Sequence, residues 1–157
     1  MASYQQFRDE DDLPRLIAEL SAHTVVLDIE PLVATWDGTR ESLDRGIDQV
    51  LDLVAATPGL RAVCFATNSA RQPSALGSIA GIEVTYIASA RKPAYTATYA
   101  RLPRPGVVVG DQLMTDGLLA RRLGYAFLHY RPAQLAPAGP RLLDVVGRLA
   151  RPLIFPH

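Results

Sequence analysis

The amino-acid sequence predicts an α/β protein, a three-layer sandwich built around one open, mainly parallel sheet of five strands. Two observations lead there. Short apolar runs rich in β-branched residues alternate with segments whose apolar residues recur at helical spacing, and the links between them are short and punctuated by Gly and Pro. With 157 residues, 48% of them hydrophobic, the chain can bury one substantial core, so a single domain is expected over residues 1–157.

The elements follow in order. Leu13, Leu16, Ile17 and Leu20 are spaced as one helical face, with Asp11 and Asp12 before Pro14 as first-turn residues, so residues 1–23 are expected to form an N-terminal entry helix. TVVLDI (24–29) is a strand of the type buried on both faces of a parallel sheet. From Glu41 to Ala56 a helix is expected, with Leu43, Ile47, Val50, Leu51 and Val54 on its apolar face and Pro58 and Gly59 ending it. RAVCFAT (61–67) is the second strand. A short helix near 73–80 leads to EVTYIA (83–88), a helix opening at Pro93 leads to GVVVG (106–110), and a helix through Leu118, Leu119 and Leu123 leads to YAFLHY (125–130). PAQLAPAGP (132–140) is a Pro/Ala-rich connection to a last helix at about 140–150, so 132–157 reads as a C-terminal helix and tail.

Composition excludes several functions. Lys plus Arg and Asp plus Glu are 16 each, so no basic excess points to nucleic acid. Cys64, the only cysteine, lies in an apolar run and reads as a buried, unreactive thiol of a reducing, cytoplasmic setting. MASYQQFRDEDDL has neither a basic n-region nor an apolar h-region, and no apolar stretch is long enough to span a bilayer, which leaves peripheral membrane contact at most. His23, His129 and His157 show no metal-ligand spacing, no serine sits in a G-x-S-x-G elbow, and no G-x-G-x-x-G follows the first strand.

In open α/β sheets ligands bind beyond the carboxyl ends of the strands. There the sequence places Asp28 and Glu30 after strand one, Thr67 and Asn68 after strand two, Lys92 after strand three, and Gly110 and Asp111 after strand four, with Asp116 beyond. Each residue alone has a plain alternative as a helix cap, a turn residue or a surface lysine. Together they suit phosphoryl transfer. A carboxylate, Asp28, can attack phosphorus and form an aspartyl phosphate. A dianionic ester repels that attacker unless its charge is neutralised, and oxygen ligands from Asp28 and Asp111 suit Mg²⁺. Lys92 adds a point charge, Thr67 and Asn68 with neighbouring N–H groups hold phosphate oxygens, and Glu30 is the proton donor to the leaving group and then the base for water. A signalling receiver domain uses similar residues, but it carries its phosphorylated Asp after strand three, and no Asp follows EVTYIA.

VVLDIEPLVATWDG, FATNS, SARKP and VVVGDQLMTD resemble, in order, the four motifs of the haloacid dehalogenase superfamily, and more narrowly its cap-less branch that contains the phosphatidylglycerophosphate phosphatases. The resemblance runs from about residue 13 to the final ARPLI. It implies a Rossmann-like sheet without a large cap domain, with Asp28 as nucleophile, Thr67 as phosphate-binding hydroxyl, Lys92 as charge stabiliser, Asp111 and Asp116 as metal-side acids, and the backbone carbonyl of Glu30 as a further metal ligand. The implied substrate is a phosphorylated small molecule or phospholipid head group, phosphatidylglycerophosphate in particular. The first motif departs from the family pattern Asp-x-Asp-x-Thr, reading Asp28, Ile29, Glu30, Pro31, Leu32. An extra methylene displaces the carboxylate, and misplacement by about 1 Å can cost about 10²-fold in rate. General acid–base catalysis contributes roughly 10²–10⁴-fold, so a slow phosphatase is expected. The alternative is a catalytically impaired relative that binds a phosphorylated ligand or protein partner. Trp36 reads equally as a packing anchor or a substrate contact, whereas RLARPLIF, with Arg148 and Arg151, reads first as core packing, with contact to anionic lipid the lesser alternative.

Overall fold

A computed structural model describes residues 3–132 and 141–155. Among the described residues there are six strands, β1 (Tyr4–Phe7), β2 (Thr24–Asp28), β3 (Ala62–Ala66), β4 (Glu83–Ile87), β5 (Gly106–Gly110) and β6 (Ala126–Tyr130), and four α-helices, α1 (Leu13–Glu19), α2 (Arg40–Val54), α3 (Leu118–Leu123) and α4 (Arg141–Ile154). All strands pair in parallel in the order β1-β6-β5-β2-β3-β4. From β2 the chain steps outward through β3 and β4, then returns to the other side of β2 for β5 and β6. That is a doubly wound sheet whose order reverses between β2 and β5.

Strand side chains alternate between the two faces. Val25, Leu27, Val63, Phe65, Val107 and Val109 meet the apolar faces of α1 and α2, while Val26, Cys64, Val108 and Phe127 meet α3 and the end of α4. Every residue of β2, β3 and β5 is buried, which explains their nearly unbroken apolar runs. α2 begins where Thr39 accepts the Ser42 N–H, and its Gly46 lets the backbone of Val33 come so close that a Cβ would overlap the Val33 carbonyl. That approach presses the segment after β2 against the core.

Three sequence expectations are corrected. The sheet has six strands, all parallel, because Tyr4–Phe7 forms an edge strand ahead of the entry helix. Its polar, half-exposed YQQF carries little intrinsic signal, and pairing with β6, Phe7 opposite Tyr130, supplies its order. No helix forms at 73–80: the Ser74 N–H goes to the Asp44 carboxylate, and a tight Ile79–Ile82 bridge turns at Gly81, whose φ is +76°. The helix expected at Pro93 is only a turn, in which the Ala94 and Tyr95 N–H groups both reach the Arg91 carbonyl, followed by a 3₁₀ turn at Ala97–Tyr99. Tyr99 shares the core with the small β3 residues Ala62, Cys64 and Ala66, which leave room for it. The connection at 133–140 lies outside the described residues. No helix among the described residues is long and apolar enough to cross a membrane.

Candidate active site

The reversal point of the sheet lies at the carboxyl ends of β2 and β5, where Asp28 and Asp111 stand. The Ile29 carbonyl accepts the N–H groups of Val33 and Ala34, closing a tight, buried turn directly after Asp28. Beyond β5, a single π-helical turn, Leu113–Gly117, carries Asp116 back over the strand end. Gly110 permits that return, because a Cβ there would overlap the Asp116 carboxylate, whose Oδ2 accepts the Gln112 N–H at 3.3 Å.

Lys92 joins these elements. Its Nζ lies 2.7 Å from Asp28 Oδ1 and 2.7 Å from Asp116 Oδ1, and all three residues are buried. Asn68 fixes the lysine from behind: the Lys92 N–H donates to Asn68 Oδ1 at 2.7 Å, and Asn68 Nδ2 donates to the Lys92 carbonyl at 3.1 Å. The approach to Lys92 includes two non-glycine residues in the left-handed region, Ser89 (φ 49°) and Arg91 (φ 54°), a conformation held by surrounding contacts such as the Ser89 N–H to the Ser69 carbonyl.

One oxygen from each of Asp28, Asp111 and Asp116 falls within 4.8 Å of the others, a group that can hold a metal ion. Three carboxylates beside one ammonium leave a formal charge of two negatives, and the donors are all oxygen, so the residues fit a hard divalent cation. The electrostatics agree. Burial, then the Asp116 charge, lifts the Asp28 carboxyl well above the usual carboxylate range, against the opposing pull of Lys92. Burial also works against the Lys92 ammonium, but Asp116 and Asp28 outweigh it and hold its proton more tightly than an ordinary lysine does.

Glu30 is buried a short distance along the same rim, and both of its oxygens are engaged. Thr67 Oγ1 donates to Oε2 at 3.0 Å, and Arg71 reaches Oε1 at 3.2 Å. Arg71 also donates to the carbonyls of Thr35 and Gly38 at 2.8 and 3.1 Å, pinning the segment that exposes Trp36, while Tyr86 donates to the Arg71 carbonyl. Trp36 is 52% exposed and therefore does not anchor the core. Leu32 is buried in the core beside α2.

The structure thus brings Asp28, Lys92, Asp111 and Asp116 into one cluster, and sets Glu30 and Thr67 against each other beside it. Asn68 spends its carboxamide on the Lys92 backbone. Sequence reasoning missed Arg71, a lone arginine in a polar link, and the chain from Tyr4 through His129 to the Asp111 carbonyl, with contacts of 2.8 and 2.9 Å. Only the edge strand β1, itself unrecognised, brings Tyr4 there. Cys64 is buried and its thiol is pushed up to about 11 by burial, in keeping with an inert side chain. No protein-family profile, curated protein or solved structure matches the chain.

Proposed function

We propose that this chain is a Mg²⁺-dependent phosphomonoester hydrolase of the haloacid dehalogenase type, working through an aspartyl phosphate on Asp28. The observation that carries the reading is Lys92 bridging Asp28 and Asp116 at the reversal point of the sheet, with Asp111 in the same oxygen cluster. The strand order also separates the chain from receiver domains, whose doubly wound order runs 2-1-3-4-5.

Asp28 Oδ1 is held by Lys92 and by the Ile29 N–H at 2.9 Å, which turns Oδ2 toward the reacting phosphorus. Oδ2 forms the new O–P bond as the ester P–O bond breaks, and the leaving oxygen takes a proton from the Glu30 carboxyl. Glu30, now a carboxylate, takes a proton from water as its oxygen attacks phosphorus and the Asp28–phosphorus bond breaks, returning Asp28 and releasing phosphate. Lys92 has three N–H donors; two serve Asp28 and Asp116, and the third meets a phosphoryl oxygen. The Thr67 hydroxyl, which donates to Glu30 in the resting site, turns to another phosphoryl oxygen. Asp28, Asp111 and Asp116, with the Glu30 carbonyl, would hold Mg²⁺, which would supply charge neutralisation for the phosphoryl group.

A second reading has one observation in its favour. Both Glu30 oxygens are taken by Thr67 and Arg71, the arrangement expected of a scaffold that binds a phosphorylated ligand without turnover. Phosphate release with Mg²⁺ from phosphatidylglycerophosphate and soluble phosphomonoesters decides between them. The hydrolase reading expects release by the parent and a loss of at least about 10³-fold in Asp28→Asn, the scale on which removing a covalent nucleophile acts. No release from any ester favours the binding scaffold.

A further inference from the structure

A second recess lies farther along the sheet, over β1 and β6. There a cavity of about 670 Å³ is lined by Arg8, Arg131, Arg148 and Arg151 together with Tyr4 and His129. Arg8 and Arg131 each follow the last residue of neighbouring parallel strands, Phe7 opposite Tyr130, and the Arg131 N–H donates to the Phe7 carbonyl at 2.9 Å. The two arginines are therefore adjacent in register. Like charges so placed repel, and among the described residues Arg8, Arg131 and Arg151 form no ion pair with a carboxylate. The Arg151 guanidinium is held 4.5 Å from the centre of the Tyr4 ring, which fixes a third positive group on the same wall. Guanidinium groups gathered around one cavity, with no carboxylate among its described lining residues, are the chemistry that recognises phosphate oxygens.

One side chain touches both the cavity and the carboxylate cluster. His129 lines the cavity, and His129 Nε2 meets the Asp111 carbonyl at 2.9 Å. β6 and β1 lie two and three strands from β2, which puts the arginines roughly 10–15 Å from Asp28 at about 4.8 Å per strand. We infer that this cavity binds a phosphate-class anion, and that the anion is a second phosphate group of the substrate whose monoester reacts at Asp28. The substrate half of the inference rests on the hydrolase reading above.

The test has two arms. In EDTA, where the carboxylate cluster repels anions, the full chain is titrated with inorganic phosphate and, separately, with dimethyl phosphate, following backbone amide signals by NMR. The expected result is shifts at Arg8, Arg131 and Arg151, affinity weakened at least tenfold in Arg8→Gln/Arg131→Gln and clearly weakened in Arg151→Gln, and binding retained in Asp28→Asn. Arg151→Gln leaves the strand ends intact and guards against misfolding of the double variant. No shifts at these residues, or parent-like affinity in both arginine variants, overturns the site. With Mg²⁺, KM for hexanediol bisphosphate is compared with KM for hexanediol monophosphate. The parent is expected to favour the bisphosphate by at least tenfold, and the preference to collapse in both arginine variants. A preference that survives overturns the assignment to the substrate and leaves a separate anion as the occupant. Phosphate bound at the arginines with no ester hydrolysed refutes the hydrolase reading, and with it the substrate half, while the anion site stands.

Discussion

Lys92→Met removes the only ammonium from a buried cluster and replaces it with an apolar side chain of similar length. In the parent, Nζ sits 2.7 Å from both Asp28 and Asp116, on residues that are all buried. Taking away one partner of a buried ion pair typically costs about 3–5 kcal/mol, because the remaining charge is left uncompensated. Here two carboxylates lose the same partner, and Asp111 stands within the same oxygen cluster. For a chain of this size each kcal/mol moves Tm by about 2–4 °C, so the metal-free variant should melt on the order of 10 °C below the parent. Two dependences follow from the charges. The loss should be larger at pH 8 than at pH 5, since Asp28 can take a proton once the ammonium is gone, and Mg²⁺ should restore part of it by replacing the missing positive charge. Urea unfolding at both pH values, with EDTA and then with Mg²⁺, measures all of this. A loss below about 1 kcal/mol in EDTA at pH 8 would refute the argument that Lys92 holds the carboxylates together.

The other predictions concern the same rim and the last helix. Asp28 has its folded-state pKa raised, chiefly by burial and Asp116, so its favourable contribution is fully present below about pH 3.8 and is lost as pH rises through the folded value. Asp28→Asn should therefore be more stable than the parent at pH 7 in EDTA and flatten the decline with pH; equal stability curves for the two would contradict this. Arg71→Ala removes contacts to Glu30, Thr35 and Gly38 and should cost about 1–3 kcal/mol, discounted because Arg71 is partly exposed, as read by urea unfolding. On α4, Leu149 and Leu153 are each 76% exposed while Ile154 is buried, so Leu149→Asp/Leu153→Asp should reduce co-sedimentation with anionic liposomes if that face meets lipid; unchanged co-sedimentation counts against the contact.

The three central strands were legible because their environment is simple. β2, β3 and β5 are buried on both faces, so their apolar content alone marks them, and their ends point to Asp28, Thr67 and Asp111. The edge and the crossovers were not. YQQF becomes a strand only because β6 offers it hydrogen bonds, and the links after β3 and β4 are held by side-chain and turn contacts that leave no helical period to read. Roles were harder to read than positions. Asn68 looks like a phosphate ligand from its place after β3, yet its carboxamide is committed to Lys92, a pairing across 24 residues that no local pattern encodes. Leu32 stands where the motif resemblance expects a hydroxyl, yet it is a core residue, so a threonine there would bury a polar group against α2.

The central claim is that Asp28 becomes phosphorylated during turnover, and trapping that intermediate tests it most directly. The parent chain with Mg²⁺ is mixed with a labelled phosphomonoester, quenched in acid within the first turnovers, digested and mapped by mass spectrometry. The account predicts one phosphoryl group on the peptide containing Asp28, absent in Asp28→Asn and accumulating further in Glu30→Gln, where the base for the second step is missing. Hydrolysis by the parent that persists in Asp28→Asn, or a phosphoryl group carried by any other residue, would contradict it.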